Sequence, residues 1–397
     1  MPTGPLIETL VLQPTPFCNI ACTYCYLPHR NDRATMSMDT LRTTFERVFA
    51  SGWAAPAMTV IWHAGEPLVL PPAYYREAFD LIERLRPAGL RLRHAVQTNG
   101  MLIDAAWCGL FKEYDVGVGV SLDGPRALHD THRLTRSGRG TFDRTMAGIR
   151  LLREHGVDFH VITVLSKDSL DDPASLVDFY LSEGIDQVCF NVEESEGDHR
   201  SSLFDQSDLR RRFSRFLDGF WRTARQRGGF RFIREIDAML PRILRPAEAV
   251  MANEQVVPFG MLNVACNGDV SSFSPELLGL KNAAYGDFII GNVHRDTLAA
   301  MHESAVMRRM AQDVAQGVEE CRRTCEYFSV CGGGAPVNKL SENGGFTSGR
   351  TRFCELTLMV PTDLILDALE RLDPLVDPAR AAPSATDWRA PCHDAAA

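Results

Sequence analysis

Lysine is nearly missing from this 397-residue chain. It occurs only at positions 112, 167, 281 and 339, so arginine carries almost all of the positive charge. The arginines are scattered, and acidic residues outnumber basic ones 51 to 42, for a formal net charge of −9. An acidic chain without a basic patch argues against nucleic acid or an anionic membrane as the main partner. No apolar run reaches the length of a membrane span, and the N-terminus lacks the basic-then-apolar order of a secretory signal. Internal repeats are absent as well. The expectation is a cytoplasmic protein of ordinary globular composition, 45% hydrophobic and 23% charged, with room for one large domain or two smaller ones.

Cysteine, by contrast, is plentiful. In a reducing compartment clustered cysteines point to metal or redox chemistry rather than to disulfides. Seven of the eleven fall into two groups, Cys18, Cys22, Cys25 and Cys321, Cys325, Cys331, Cys354. Cys108 and Cys189 sit in apolar stretches and read as small buried hydrophobes. Cys392 lies in the tail, and Cys266 belongs to neither group.

Short apolar runs alternate with amphipathic stretches up to about residue 195. Strands are expected at Glu8–Pro14, Met58–Trp62, Arg93–Gln97, Val116–Ser121, Phe159–Val164 and Gln187–Val192, all rich in Val, Ile or aromatics. Helices are expected near 39–50, 72–86, 104–113, 141–155 and 173–183, with Ser37 and Thr141 as N-caps of the first and fourth. Six strands with right-handed helical crossovers make an α/β fold, a partial (β/α)6 barrel over residues 1–205. A helical bridge follows over 206–260, opening with an Arg-rich helix at 206–227. Residues 261–372 hold a hairpin at Asn267-Gly268-Asp269, the second cysteine group and a helix near 355–371. An Ala/Pro-rich tail occupies 373–397.

Cys18, Cys22 and Cys25 have the spacing C-x3-C-x2-C, directly after the first strand. Three thiolates this close bind three corners of a cubane [4Fe–4S] cluster and leave one iron open. Zinc is the rival. A structural zinc site needs a closed set of four ligands, and His29, the nearest candidate, fits no common zinc spacing.

On these residues the chain resembles the radical S-adenosylmethionine (SAM) superfamily. Tyr24 stands where that family keeps an aromatic beside the adenine. His63-Ala64-Gly65-Glu66-Pro67, ending the second strand, is similar to the Gly-Gly-Glu-Pro segment whose carbonyls contact the SAM amino group, with Ala64 in place of the first glycine. Thr98-Asn99 after the third strand, and Ser121 and Asp123 after the fourth, resemble the segments around the SAM carboxylate and ribose. The resemblance implies that the reduced cluster and SAM yield a 5′-deoxyadenosyl radical, with electrons from an external flavodoxin- or ferredoxin-like donor. His63 is read either as a substrate contact or as packing beneath SAM.

The second group, with Cys321-x3-Cys325-x5-Cys331 and Cys354, supplies enough thiolates for one fully ligated site, a cluster or a zinc. It resembles the C-terminal SPASM/twitch extension of peptide-modifying radical SAM enzymes, which carries two auxiliary clusters. Here Phe273 and Ala335 stand where that family has cysteines. One auxiliary [4Fe–4S] cluster is therefore expected, and the other site is degenerate. Phe273-Ser-Pro-Glu-Leu-Leu-Gly279 and the segments after it look like the cyclophane-forming maturases of the GrrM/OscB type.

That resemblance implies a ribosomally made precursor peptide as substrate and a bond between an aromatic ring carbon and a β-carbon. Glu276 and Asp287 are the candidate proton acceptors, although both can equally be read as exposed loop carboxylates. A first strand beginning near residue 7 leaves no room before it for a fused peptide-recognition domain. The alternatives are formylglycine formation of the sulfatase-maturase kind and, in another class, a non-catalytic iron–sulfur or zinc protein that binds a partner or senses redox state.

Overall fold

The computed structural model describes residues 5–197, 199–246, 253–371 and 373. Six parallel strands form where expected: β1 (Ile7–Gln13), β2 (Ala54–Trp62), β3 (Arg91–Thr98), β4 (Gly117–Ser121), β5 (Phe159–Leu165) and β6 (Gln187–Val192). They lie side by side in chain order. The crossovers run through α1 (Met38–Ala50), α2 (Pro72–Leu85), α3 (Ala105–Glu113), α4 (Arg126–His132), α5 (Phe142–Glu154) and α6 (Pro173–Ser182). α1 shows why these segments are helical. The Ser37 side chain accepts the Thr40 N–H at its start, and Leu41, Phe45 and Val48 form one buried stripe. Each such side chain stabilises the fold by about 1.5–3 kcal/mol, and Phe45→Ala would remove about 3–5 kcal/mol.

Two expectations change. Thr141 stands at the N-cap position of α5, but its side chain makes no cap bond. Its hydroxyl donates to the Arg133 carbonyl at 2.8 Å, and Asp130 Oδ1 accepts the Thr141 and Phe142 N–H groups instead. The region read as a helical bridge, which opens with α7 (Leu209–Arg227), also contributes β7 (Phe232–Ile233), paired parallel to β6. α8 (Arg234–Asp237) and α9 (Met239–Leu244) follow.

The C-terminal region joins the same sheet. β8 (Met261–Ala265) runs parallel to β1, and the expected turn at Asn267–Asp269 returns the chain into antiparallel β9 (Asp269–Ser272). β10 (Gly291–Asn292) completes the order β10-β9-β8-β1-β2-β3-β4-β5-β6-β7. One face of this sheet is covered by the main core; the other carries only a small cluster of Val11, Ile61 and Met261. Polar side chains lie on that second face, where Gln97 donates to Ser121 at 3.0 Å and a Cβ at Gly119 would run into Gln97 and His160. A site therefore opens on the inner face and at the strand C-termini. The helix expected near 355–371 is a π-turn, Glu355–Met359, continued by an α-helix, Val360–Glu370. The tail, Cys392 included, falls outside the described residues apart from Asp373, which Arg222 reaches at 3.2 Å. Among the described residues no helix is long and apolar enough to cross a membrane. Cys108 is a free, fully buried thiol, as expected; Cys189 is fully buried too, but it is disulfide-bonded rather than a plain buried hydrophobe.

Candidate active site

The loop bearing Cys18, Cys22 and Cys25 leaves the C-terminal end of β1 and is strapped down by residues 132–136. Ala21 N–H donates to the Leu134 carbonyl at 2.7 Å and Thr23 N–H to that of His132 at 3.0 Å. Arg136 donates to the Cys18 carbonyl through Nη2 at 2.7 Å and Nε at 2.9 Å. Burial pushes the Cys18 thiol up to about 12 and the Cys22 thiol up to about 11, so thiolates here need a cationic partner. Three thiols carried on one loop are the donor set of a cubane with one open iron, whereas a structural zinc site takes four ligands. The donor set fits a cluster held by Cys18, Cys22 and Cys25.

The neighbouring segment is fixed by close backbone approach. Ala64 and Gly65 are both left-handed, with φ of +66° and +59°. A Cβ on Gly65 would lie 2.6 Å from the Phe17 carbonyl oxygen and closer still to that of Thr15, so only glycine lets β2 end against the cysteine loop. Glu66 turns inward. Its Oε1 accepts the Thr98 hydroxyl at 2.6 Å and the Leu68 N–H at 3.1 Å, and its Oε2 accepts the Asn99 N–H at 2.8 Å. Burial raises its pKa to about 7 against the pull of those donors. Pro67 opens a short 3₁₀ turn, and Asn99 Nδ2 donates to Asn19 beside Cys18 at 2.7 Å.

Asp123 differs from expectation. Its Oδ2 accepts Tyr24 Oη at 2.6 Å and Arg133 Nε at 3.0 Å, while its Oδ1 accepts Arg133 Nη2 at 3.1 Å and Val164 N–H at 3.0 Å. Four donors saturate a carboxylate, so Asp123 has no acceptor left for a ribose or an amino group. Like Glu66, it braces the site. Tyr24 is held with Arg133 5.5 Å from its ring centre. Sequence reasoning missed Arg133 and Arg136, because an arginine among scattered arginines carries no local signal.

Cys321, Cys325, Cys331 and Cys354 line one pocket, together with Tyr327, Ala335 and Lys339. Thr351 and Cys354 close a capping box that fixes the last thiol. Lys339 is 3% exposed, and its Nζ lies 2.9 Å from the Gly317 carbonyl and 3.3 Å from Cys321 Sγ. A buried ammonium with no carboxylate partner among the described residues calls for an anionic neighbour, which a thiolate-ligated cluster supplies. Cys266 does not line this pocket. Phe273 is fully buried with φ of +73°, filling the position where a further cysteine was sought.

Between the end of β6, the turn after β9, α8–α9 and the Cys331 loop lies a chamber of ≈ 290 Å³. Glu276 lines it and is 3% exposed, so it is no surface carboxylate. It accepts from Tyr26 Oη at 3.1 Å and from the Ser274 hydroxyl. Glu194 and Glu196 line the same chamber and were not foreseen. They follow β6 in a stretch that reads as an ordinary acidic loop. Burial, reinforced by the charges of Glu276 and Glu342, pushes Glu194 up to about 8; burial, with the charges of Glu194, Glu276 and Glu342, pushes Glu196 well above the carboxylate range; burial also raises Glu276. Asp287, the other candidate acceptor, is exposed, and its Oδ1 accepts the Ile289 N–H at 3.2 Å. It caps its own turn, away from the chamber, and the expectation for it is withdrawn.

The family model of the radical SAM superfamily matches residues 12–180. Uncharacterized protein sll1766 of Synechocystis sp. is 39% identical over 91% of this chain and 92% of its own length. The chain belongs to the radical SAM superfamily. This radical SAM protein is an enzyme, and its family implies a [4Fe–4S] cluster and SAM. It is also 29% identical to the serine-type anaerobic sulfatase-maturating enzyme of Klebsiella aerogenes, over 89% of this chain and 85% of that one. Among solved structures, anSMEcpe with bound AdoMet matches its fold with a TM-score of 0.75 at 21% identity, covering 93% of this chain and 98% of that one. Streptococcus suis SuiB bound to precursor peptide SuiA matches with a TM-score of 0.59 at 17% identity, covering 88% and 76%.

Proposed function

We propose that this radical SAM enzyme modifies a ribosomally made precursor peptide by joining an aromatic ring carbon to the β-carbon of a nearby residue. The observation that carries this reading is the chamber, which touches Cys331 of the second cysteine group on one side and the buried Glu276 on another. Crosslinking removes two hydrogens, one as an atom and one as a proton with its electron. Bound together, the clusters and SAM supply the hydrogen-abstracting radical and an acceptor for that electron. Cys18, Cys22 and Cys25 hold the first cluster, and Ala64–Pro67, Thr98, Asn99 and Ser121 frame the cofactor beside it. Tyr24 and Asp123 brace that frame. Cys321, Cys325, Cys331 and Cys354 hold a single auxiliary cluster, a count supported by the phenyl ring that fills position 273. Glu276, screened from water and hydrogen-bonded by Tyr26, takes the proton. An external flavodoxin- or ferredoxin-like donor supplies the reducing electron.

Formylglycine formation on a protein is the second reading, favoured by the likeness to the Klebsiella aerogenes maturating enzyme. The intact mass of the candidate precursor, encoded beside this gene and co-expressed anaerobically, separates the two. Loss of two hydrogens per crosslink without aldehyde reactivity is the expected result. An aldehyde-bearing product would favour the second reading, and an unchanged mass despite SAM cleavage would overturn the precursor as substrate.

A further inference from the structure

Six glutamates line the chamber, and one of those that are buried has nothing to hold. Glu196 is 3% exposed, yet its carboxylate takes part in no hydrogen bond or ion pair among the described residues. Its neighbours are acidic. Glu194 accepts from Asn338, and Glu276 from Tyr26 and Ser274, but neither has a cationic partner among the described ion pairs. Two arginines also line the chamber. Arg234 is committed to Glu235 at 2.8 Å and to the Phe190 carbonyl, and Arg242 has partners of its own.

A desolvated carboxyl without a counter-charge stays neutral, and an incoming cation favours its ionised form and is held by it. The charges of Glu194, Glu276 and Glu342 all act on Glu196 and no cation offsets them there, which points to the same deficit of positive charge. A bare metal ion would leave most of a chamber of this size unfilled, whereas an organic cation can occupy it. SAM, itself a cation, belongs elsewhere, since none of Tyr24, Ala64–Pro67, Asn99 or Asp123 lines this chamber. The volume of ≈ 290 Å³ suits a long side chain, and Met239, Val337 and Leu358 offer apolar surface to an aliphatic stem.

We infer that the chamber receives a cationic side chain, arginine or lysine, of the peptide, gripped by Glu196 with Glu194. Glu276 is left to its proton. The inference rests on the peptide reading above and adds which residue of the peptide enters.

The test is calorimetric titration of the anaerobic holoenzyme, saturated with SAM, with N-acetyl-arginine methylamide and with its uncharged isostere, N-acetyl-citrulline methylamide. The arginine probe is expected to bind at least tenfold more tightly, and Glu196→Gln is expected to abolish the difference. Equal binding of the two probes by the unaltered enzyme, or no binding of either, overturns the inference even if the variant fails to fold. A crosslinked precursor without arginine preference overturns this inference alone. Arginine preference with an unmodified precursor overturns the peptide reading alone.

Discussion

The hydroxyl of Tyr26, the residue after Cys25, donates to Glu276 at 3.1 Å across a separation of 250 residues. The loop that holds the first cluster is thereby tied to the acid in the chamber. On the proposed reaction, this buried carboxyl takes the proton released from the peptide. Glu276→Gln should lower product formation by about 10²–10⁴-fold while 5′-deoxyadenosine release continues. Mass spectrometry of both products decides; a parallel fall in both would assign Glu276 to the fold instead. Tyr26→Phe, which removes only the hydrogen bond, should have the smaller effect.

Stability should depend on pH through the chamber. Glu194, raised to about 8 by burial, retains its proton in the folded state where the unfolded chain has lost it. The folded state therefore binds more protons, and stability falls as pH rises from about 4.5 to about 8, by up to about 1.4 kcal/mol per pH unit for one such proton. Above that window the dependence flattens. Glu194→Gln should raise the anaerobic melting temperature at pH 8 and leave it little changed at pH 4.5. An equal shift at both values would remove the chamber as the cause.

Arg133 and Asp123 form an ion pair whose side chains are 8% and 2% exposed. Asp123→Asn leaves a buried guanidinium without its counter-charge and should destabilise the enzyme by about 3–5 kcal/mol. Denaturant unfolding under anaerobic conditions measures this. A loss below about 1 kcal/mol, the range of exposed pairs, would mean that water reaches the pair.

Gly65→Ala pushes a methyl group against the Thr15 and Phe17 carbonyls. The Cys18–Cys25 loop must then move, and the variant should lose the iron of the first cluster while keeping that of the second. Iron and sulfide content, with electron paramagnetic resonance of the reduced protein, distinguishes this from the loss of both.

Lys339 places its ammonium 3.3 Å from Cys321 Sγ. A positive charge beside a cluster ligand favours the more negatively charged, reduced state, so Lys339→Met should move the midpoint potential of the auxiliary cluster to more negative values. An unchanged potential in a fully loaded variant would show that the charge is screened, and iron and sulfide sufficient for the first cluster only would rule out the auxiliary cluster.

The β/α succession was legible because buried parallel strands are short and apolar while the crossovers are amphipathic, so Gln187–Val192 could be bounded to the residue. The local spacing of Cys18, Cys22 and Cys25 needed no partner to be read, and Gly65 and Asn99 stood out by following strands. Thr141 stands at the cap position, but its hydroxyl is taken up by His129 and the Arg133 carbonyl, and Asp130 accepts the N–H groups in its place. Asp287 is spent on the Ile289 N–H of its own turn.

What the sequence by itself determined is whatever local spacing encodes: the cysteine triad, the strand period and the turn at Asn267–Asp269. Only the tertiary structure decided that Asp123 is saturated by Tyr24, Arg133 and Val164, and that Glu194, Glu196 and Glu276 share one chamber. The physical reason is that a carboxylate's role depends on which donors and charges surround it. Those neighbours come from other strands and from the C-terminal hairpin, brought together across sequence separations of up to 250 residues when β8 pairs with β1.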